Sequence, residues 1–352
     1  MPSVDVVIPC YNYARYLPGC VASVLSQQGV DVRALIIDDC STDDTPAVGA
    51  ALARQDSRIE YRRHATNMRH IATYNEGLIG WASADYCLLL SADDLLAPRG
   101  LQRATQVMEA NPNVHMTYGM ALLFTDDAQV TSLPADSSPD VHRVVRGADF
   151  LRRSIVGNPV PTPSAIARTR VQREVGGYAA TLPHTADMAM WMRFATRGDI
   201  GVVPQVLAYK RTHDTNMSIR YAARPLGDFR ERLDACRELL AGEHTPGAGA
   251  PTLTEAHEII GNQVFWWASQ LADAGQNSAC DEALELAGEL APALRESAAW
   301  RRLRMKRAIP AGLRRSLLSL ADRLRGTRAA KVASTPTRQI GWWPGEADAQ
   351  QA

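Results

Sequence analysis

The chain has 352 residues, of which 22% are charged and 46% are hydrophobic, and its 38 basic side chains balance 38 acidic ones. This length allows for about two domains of ~150 residues. The composition excludes collagen-like, coiled-coil and largely disordered chains. The zero net charge argues against a protein whose whole surface binds nucleic acid, because such proteins are usually basic.

The first third of the sequence alternates between short apolar runs and amphipathic segments. The apolar runs predict buried strands over residues 4–9, 33–37, 59–62 and 86–90. Helical spacing of apolar residues predicts intervening helices over 13–27, 44–54, 71–82 and 99–110. Continuous apolar strands that alternate with helices are typical of a parallel sheet with helices on both faces.

The later part of the chain becomes progressively helical. Further strands are predicted over 115–123 and 201–210, with a polar loop over 125–145 and a helix within 184–198. Only helices are predicted over 227–241, 254–274, 279–291 and 296–325. We therefore expect a first domain over 1–224, an all-helical C-terminal region over 225–326 and a flexible tail over 327–352. Within that tail, Trp342 and Trp343 could dock onto the rest of the protein.

The cysteines and the N-terminus indicate a compartment. The six cysteines are scattered and form no C-x-x-C pair, so we predict neither a zinc site nor a redox motif. Free thiols are typical of a reducing environment. We find no signal peptide at the N-terminus and no apolar run of about 18 residues, the length that would span a bilayer. We therefore expect a cytoplasmic protein.

Polar clusters follow three of the predicted strands, at Pro9–Asn12, Asp38–Asp39 and Ser91–Asp94. In open α/β sheets, ligands bind beyond the carboxyl ends of the strands. Carboxylates there can bind a ribose or a base and can hold a divalent cation that bridges two phosphates. The acids would otherwise repel a diphosphate, so the charge balance requires that cation. The alternative is that each acid pair only caps the next helix, which suits Asp38–Asp39 better than Asp93–Asp94.

Some nucleotide-binding classes are disfavoured by what the sequence lacks. No G-x-G-x-x-G follows the first strand, and no G-x-x-x-x-G-K-[ST] occurs, which argues against dinucleotide-dependent dehydrogenases and P-loop NTPases. A nucleotidyltransferase would usually carry a basic, glycine-rich loop after its first strand. Residues 9–13 contain no glycine, arginine or lysine, so that reading is also disfavoured.

Five segments resemble, in order and spacing, the successive signatures of family 2 glycosyltransferases of the non-processive bacterial type, which have the GT-A fold. These segments are residues 6–12, 36–43, 71–77, 89–94 and 184–193. The resemblance covers about residues 1–220 and leaves out 225–352. It implies a GT-A-like, mostly parallel sheet flanked by helices. It also implies inverting transfer of a sugar from a nucleotide-diphosphate sugar, most commonly a UDP-sugar, to an acceptor hydroxyl.

The resemblance further implies roles for individual residues. Tyr11 would lie against the nucleobase, and Asp38 and Asp39 would hydrogen-bond the base or the ribose. The other nucleotide-sugar contacts would come from Pro9, Asn12, Asn75, Ser91 and Asp93. The segment Ser91–Asp94 takes the place of a D-x-D metal motif whose first acid is replaced by Ser91. Either Asp93 or Asp94 would then bind Mg²⁺ or Mn²⁺, with His213 as a further contact to the metal or the diphosphate.

By the same resemblance, Asp187 would be the general base that takes the proton of the acceptor hydroxyl. For several of these residues, a purely structural role is the alternative. Asp187 could be only an acid in the first turn of a helix, and His213 could be a surface or core histidine. Trp191 is most simply a core residue. His70 has no cluster of its own and is taken as loop structure or a minor donor-site contact.

The segment 301–331 contains eleven Lys or Arg residues and one acid, Asp322. A basic amphipathic helix can lie on an anionic membrane, which would suit a lipid-linked or glycan acceptor in bacterial cell-envelope polysaccharide synthesis. The alternative is a helix that packs on its own domain or on a partner subunit. No aromatic residues interleave the arginines, so no nucleic-acid partner is predicted. We expect a metal-dependent glycosyltransferase. The membrane interpretation of the basic segment would place it at the inner face of the membrane. The rival interpretation of the chain is a non-catalytic nucleotide-sugar-binding module.

Overall fold

The computed structural model of the chain describes residues 1–131, 133, 136, 138–214, 216, 225–240, 249–308 and 338–344. Within these residues, ten strands form one mixed sheet. The strands are β1 (Ser3–Cys10), β2 (Asp31–Asp38), β3 (Ile59–Arg63), β4 (Tyr86–Leu89), β5 (Leu95–Leu96), β6 (Val114–Phe124), β7 (Arg143–Val145), β8 (Ile166–Arg168), β9 (Asp199–Arg211) and β10 (Gln339–Ile340).

Helices cover the sheet and make up most of the described residues beyond β9. They are α1 (Leu17–Leu25), α2 (Thr45–Gln55), α3 (Arg69–Asn75), α4 (Gly100–Ala110), α5 (Ala128–Thr131), α6 (Gly147–Val156), α7 (Thr169–Val175), α8 (Ala186–Arg197), α9 (Pro225–Leu240), α10 (Leu253–Asp273), α11 (Asn277–Leu290) and α12 (Ala298–Ala308). A π-helical turn, Glu76–Trp81, continues α3. The loop predicted over 125–145 in fact contains α5 and β7.

The strand order along the main path of the sheet is β3-β2-β1-β4-β8-β6-β9-β5, with β7 on β9 and β10 on β6. The pairs β1–β2, β2–β3, β1–β4 and β6–β9 are parallel. Strand β8 is antiparallel to both of its neighbours, β4 and β6. The predicted α/β class is confirmed, with a mostly parallel first half and helices in the C-terminal region.

The sheet separates two apolar layers, and β1 contributes to both of them. Its successive side chains point to opposite faces, because the side-chain period of a strand is two residues. Val7 belongs to the layer that contains α6 and α8, whereas Val6 and Ile8 belong to the layer that contains α1 and α4. Trp191 of α8 is 3% exposed within the first layer, which confirms its interpretation as a core residue.

The C-terminal helices share the core of the first domain. Helix α9 packs against α8, and α10 packs against α6. Residues 309–331 of the basic segment lie outside the described residues, as do 327–337 and 345–352 of the predicted tail. The described part of that tail, 338–344, lies on the sheet, where β10 pairs with β6.

Gly77 marks the closest approach of the π-helical turn to β1. A Cβ at this position would lie 2.2 Å from Cγ1 of Val7, whereas a Cβ on Gly80 of the same turn would meet nothing within 4 Å. We therefore expect Gly77→Ala to lower the free energy of unfolding by about 1–3 kcal/mol through overpacking. Gly80→Ala should leave it unchanged or raise it by up to ~1 kcal/mol. Denaturant titration of both variants measures this difference, and equal stabilities would contradict the packing argument.

Candidate active site

A cavity of about 640 Å³ opens at the carboxyl ends of β1 and β4, where ligands bind in open α/β sheets. Its wall combines the ends of β1 and β2, the loop between β4 and β5, the start of α8 and the end of β9. The structure brings seven of the residues predicted from the sequence to this wall: Pro9, Tyr11, Asp39, Ser91, Asp93, Asp94 and Asp187.

Asp93 and Asp94 form a pair of buried acids in the cavity wall. Their residues are only 4% and 5% exposed. Asp93 accepts a hydrogen bond from the Ser91 hydroxyl at 2.5 Å, and its other oxygen lies 3.0 Å from Nε2 of His213. Asp94 accepts the backbone N–H of Arg211 at 2.9 Å. Burial, together with the adjacent charge of Asp93, raises the pKa of Asp94 well above its usual value.

The Arg211 side chain braces this acidic loop from behind. Its guanidinium lies 4.4 Å from the ring centroid of Tyr16 and 4.3 Å from that of Phe124. Its Nε donates to the backbone carbonyl of Asp93 at 3.0 Å, and its terminal nitrogen pairs with Asp127. Cation–π contacts with both rings hold the charged group in place while it supports the backbone of the acids.

Asp39 is held by a relay that the sequence did not suggest. Its Oδ1 accepts the backbone N–H of Met68 at 2.6 Å and lies 2.8 Å from Nδ1 of His64. Nε2 of His64 lies 2.7 Å from Glu76. Burial disfavours the charged form of His64, but the hydrogen bonds to both acids outweigh it and raise the pKa of His64. The relay fixes the direction in which Asp39 faces the cavity.

Asp187 lies in the first turn of α8 and is half-buried in the cavity wall. Its Oδ2 accepts hydrogen bonds from the Asn158 amide at 2.9 Å and the Thr162 hydroxyl at 3.2 Å. Its Oδ1 accepts the backbone N–H of Met188 at 2.7 Å. Burial raises the pKa of Asp187, and these bonds together with the charge of Lys210 offset the shift only in part.

A neighbouring helix holds the N-terminus of α8 in place. Thr185 precedes α8 and makes no side-chain cap of its own. Glu231 of α9 instead accepts the backbone N–H groups of His184 and Thr185 at 2.9 and 3.1 Å. A carboxylate at the N-terminus of a helix accepts hydrogen bonds from its free N–H groups and interacts favourably with the positive end of the helix dipole. The C-terminal region thus helps to place the turn that carries Asp187.

Four residues named from the sequence lie outside the cavity wall: Asn12, Asp38, Asn75 and His213. Asn12 has a left-handed backbone with φ of 59°, and its side chain bonds the backbone of the next loop. Asp38 is fully buried and accepts the hydroxyl of Tyr61 at 2.8 Å. The Asn75 amide bonds both the N–H and the carbonyl of Tyr178. His213 reaches the site through Asp93.

Other wall residues were given no individual role from the sequence, although some of them lie in the segments that carry the family resemblance. They are Cys10, Tyr13, Asn67, Arg69, Ile71, Thr73, Tyr74, Leu89, Thr162, Pro163, Tyr178, Pro183, His184, Ala186, Lys210 and Asn216. His70 lies at the start of α3 rather than in a loop, with Nε2 3.2 Å from the Pro183 carbonyl. These residues come from separate elements, so only the folded chain brings them together.

Two negative findings apply to the part of the chain that the structure describes. No group of three or more His, Cys, Asp or Glu side chains there is arranged to hold a metal ion. No helix among the described residues combines the length and the apolar character that a membrane crossing needs.

Residues 5–131 match the family model of Glycosyl transferase family 2. The putative glycosyltransferase EpsE of Bacillus subtilis is 28% identical over 221 residues, which cover 61% of this chain and 74% of EpsE. The succinoglycan biosynthesis protein ExoO of Rhizobium meliloti is 31% identical over 147 residues, which cover 40% of this chain and 41% of ExoO.

Solved structures show the same fold at low sequence identity. S. aureus TarS 1–349 in complex with UDP-GlcNAc has a TM-score of 0.61 and 14% identity, with 94% of this chain and 95% of that chain covered. The mannosyltransferase PcManGT from Pyrobaculum calidifontis, in complex with GDP-Man and Mn²⁺, has a TM-score of 0.55 and 16% identity, with 93% and 88% covered. Residues 5–131 therefore resemble glycosyl transferase family 2, and the chain has the GT-A fold of the solved neighbours.

Proposed function

We propose that this chain is an inverting glycosyltransferase that moves a sugar from a nucleotide-diphosphate sugar to an acceptor hydroxyl in bacterial glycan or cell-envelope synthesis. The observation that carries the proposal is that one cavity contains both the buried acids of the β4–β5 loop and Asp187 at the start of α8. The names of EpsE and ExoO support this function class. Neighbours solved with UDP-GlcNAc, UDP and GDP-Man support a nucleotide-sugar donor.

The donor nucleotide would bind between Tyr11 and Asp39. Tyr11 is 47% exposed at the cavity rim, so its ring is available to stack on a nucleobase. Asp39 is oriented by the Met68 N–H and by His64, and it would accept hydrogen bonds from the ribose or the base. A UDP-sugar is the donor that we expect first, because uridine is the commonest nucleotide of the family.

The acid pair suits a hard divalent cation, Mg²⁺ or Mn²⁺. Two adjacent buried carboxyl groups repel each other, and a cation between them and a diphosphate would relieve that repulsion. Magnesium sites commonly use one or two carboxylates together with substrate phosphates, which fits Asp93 and Asp94. His213, 3.0 Å from Asp93, would add a protein contact. When bound, such a cation offsets the negative charge that develops on the departing diphosphate.

Asp187 would act as the base on the acceptor side. Asn158 and Thr162 bind one of its oxygens, so its carboxylate is held in a fixed direction in the cavity wall. An acceptor hydroxyl has a high pKa and needs a base as its oxygen attacks the anomeric carbon. Burial makes Asp187 a stronger base than an exposed carboxylate. Lys210 in the same wall carries a positive charge, which offsets part of the rise in the pKa of both Asp94 and Asp187.

The variant Asp187→Asn tests this role in a donor-turnover assay. With Mn²⁺ and a panel of UDP-GlcNAc, UDP-glucose and GDP-mannose, we expect release of UDP or GDP by the wild type, with water or an added sugar as acceptor. The variant should lose on the order of 10²-fold or more in kcat. Donor affinity, measured by calorimetry, should change less than about twofold, because the substitution does not touch the nucleotide.

The pH profile gives a second readout of the same residue. Because the pKa of Asp187 is raised, wild-type turnover should fall as the pH drops through a value above the ~3.9 of a free aspartate. The protonated carboxyl cannot accept the proton. Near-normal turnover by the Asp187→Asn variant would show that Asp187 is not the base. Wild-type binding of UDP without turnover on any acceptor would favour the non-catalytic binding module.

The variant Asp93→Ala tests the cation between protein and diphosphate. We expect UDP binding in the presence of Mn²⁺ to weaken at least about tenfold, because a carboxylate ligand of the cation is lost. Binding in the absence of Mn²⁺ should change little. Titration calorimetry measures both, with Asp44→Ala as an exposed-acid control at the start of α2. Equal losses with and without Mn²⁺ would contradict a cation-bridged donor.

We also propose a reducing compartment and peripheral contact with an anionic membrane surface. All six cysteines are free, and five of them are buried. The described part of the basic segment is the end of α12, where Arg301, Arg302 and Arg304 are exposed beside Met305, which is 73% exposed. This arrangement offers positive charge and an apolar side chain to a lipid surface, where a lipid-linked acceptor would be found.

Vesicle co-sedimentation tests the membrane contact. The wild type should sediment with vesicles that contain anionic phospholipid and should not sediment with neutral ones. Reversal of charge at Arg301, Arg302 and Arg304 to glutamate should reduce binding at least about tenfold, since each basic residue near such a surface contributes ~1 kcal/mol. The control is Arg54→Glu on α2, which is equally exposed. Unchanged binding by the triple variant would rule out contact through this face.

A further inference from the structure

Residues 338–344, which we call the strap, cover an edge of β6. Gln339 and Ile340 pair antiparallel with Leu122 and Ala121, and the Leu123 N–H donates to the carbonyl of residue 338 at 2.9 Å. Strand β8 pairs with β6 only at Met116 and Thr117, so it leaves this stretch of backbone unpaired. The strap supplies the missing partner, as an uncovered strand edge requires.

Gly341 has a positive φ angle in the middle of the strap. Its φ of +121° is a conformation that glycine adopts readily and L side chains rarely do. A Cβ there would also lie 2.9 Å from Sδ of Met120. The positive φ therefore favours glycine at this position, directly before Trp342.

The backbone of Trp342 joins the sheet to the loop over residues 157–162. Its N–H donates to the carbonyl of Pro159 at 3.1 Å, and its own carbonyl accepts the hydroxyl of Tyr118 at 3.0 Å. Tyr118 is a fully buried residue of β6. The indole ring lies 5.6 Å from the Arg153 guanidinium of α6, which supports it from another element.

The 157–162 loop carries both side chains that bind Asp187. Asn158 and Thr162 donate to the same carboxylate oxygen at 2.9 and 3.2 Å, and they flank Pro159 in the chain. The loop contains two prolines, Pro159 and Pro161, which have no N–H to anchor it. The bond from Trp342 to the Pro159 carbonyl therefore holds the loop between its two Asp187 contacts.

We propose that the strap is a positioning element for Asp187, acting through Asn158 and Thr162; this inference rests on the proposed role of Asp187 as the base. No strap residue is among those that line the cavity, so the strap contributes no contact to a substrate there. It fixes the orientation of the carboxylate by holding the loop that binds it. Small displacements of a catalytic group can cost up to ~10²-fold in rate.

Two truncated chains test the proposal, one ending at residue 337 and a matched control ending at residue 344. The first should lose about 10- to 100-fold in kcat for turnover of the active nucleotide sugar, while its KM for that donor stays within about twofold. The control should match the full chain. Tyr118→Phe removes only the hydroxyl bond to Trp342 and should give a smaller loss in the same direction. A raised donor KM with unchanged kcat would overturn the proposal.

A double-mutant cycle separates positioning from general destabilisation. In a background of Asn158→Ala with Thr162→Val, both side-chain donors to Asp187 are gone. Removal of the strap should then cost less than about twofold more, because its effect passes through those donors. If removal of the strap lowers kcat by the same factor in this background as in the wild type, the strap acts by another route, and the proposal is overturned.

Hydrogen exchange gives a readout that does not depend on activity. In the chain ending at 337, amides of residues 157–165 should exchange at least about tenfold faster than in the chain ending at 344, while those of α4 stay unchanged. Equal exchange in the loop would overturn the proposal even if no donor is ever turned over. The two proposals can also fail separately. If the loop exchanges faster in the chain ending at 337 but the Asp187→Asn enzyme stays active, the strap does hold the loop, and only the proposed role of Asp187 as the base is wrong.

Discussion

The buried acid pair at the end of β4 is the constraint on which the rest of the site depends. Charged groups removed from water destabilise a fold unless they find partners. Here the partners come from three directions: the Ser91 hydroxyl, the His213 ring and the backbone N–H of Arg211. Arg211 is in turn held between two aromatic rings. Three separate parts of the chain therefore support the two carboxyl groups. They are the end of β9, the segment before α1 and the end of β6.

The sequence was sufficient to predict those features whose signals are local. An apolar run followed by acids is visible at β2 and β4, and it correctly led to the cavity edge with Asp39, Asp93 and Asp94. The supporting contacts could not be predicted in this way. His64 lies 25 residues from Asp39, and Asn158 lies 29 residues from Asp187. Strand β8 has only three residues, too few for a hydrophobic period to be read.

The residues of the matched motifs divide into two groups in the folded chain. Some, such as Tyr11 and Asp39, face the cavity, whereas Asn12, Asp38 and Asn75 hold the loops that form its wall. A motif in this fold therefore encodes the shape of the loops as much as the chemistry of the site. The side-chain bonds made by Asn12, Asp38 and Asn75 are needed because loops have no strand or helix ladder to satisfy their backbone groups.

The long separation between the strap and its partner strand has a consequence for synthesis of the protein. Trp342 is made 224 residues after Tyr118, the residue whose hydroxyl it accepts. The part of the β6 edge that pairs with the strap stays uncovered until residues 338–344 have been translated. An exposed edge is a template for pairing with other nascent chains. Pairing of the strap with β6 closes this edge and, in the same step, brings the backbone of Trp342 to the loop that carries Asn158 and Thr162.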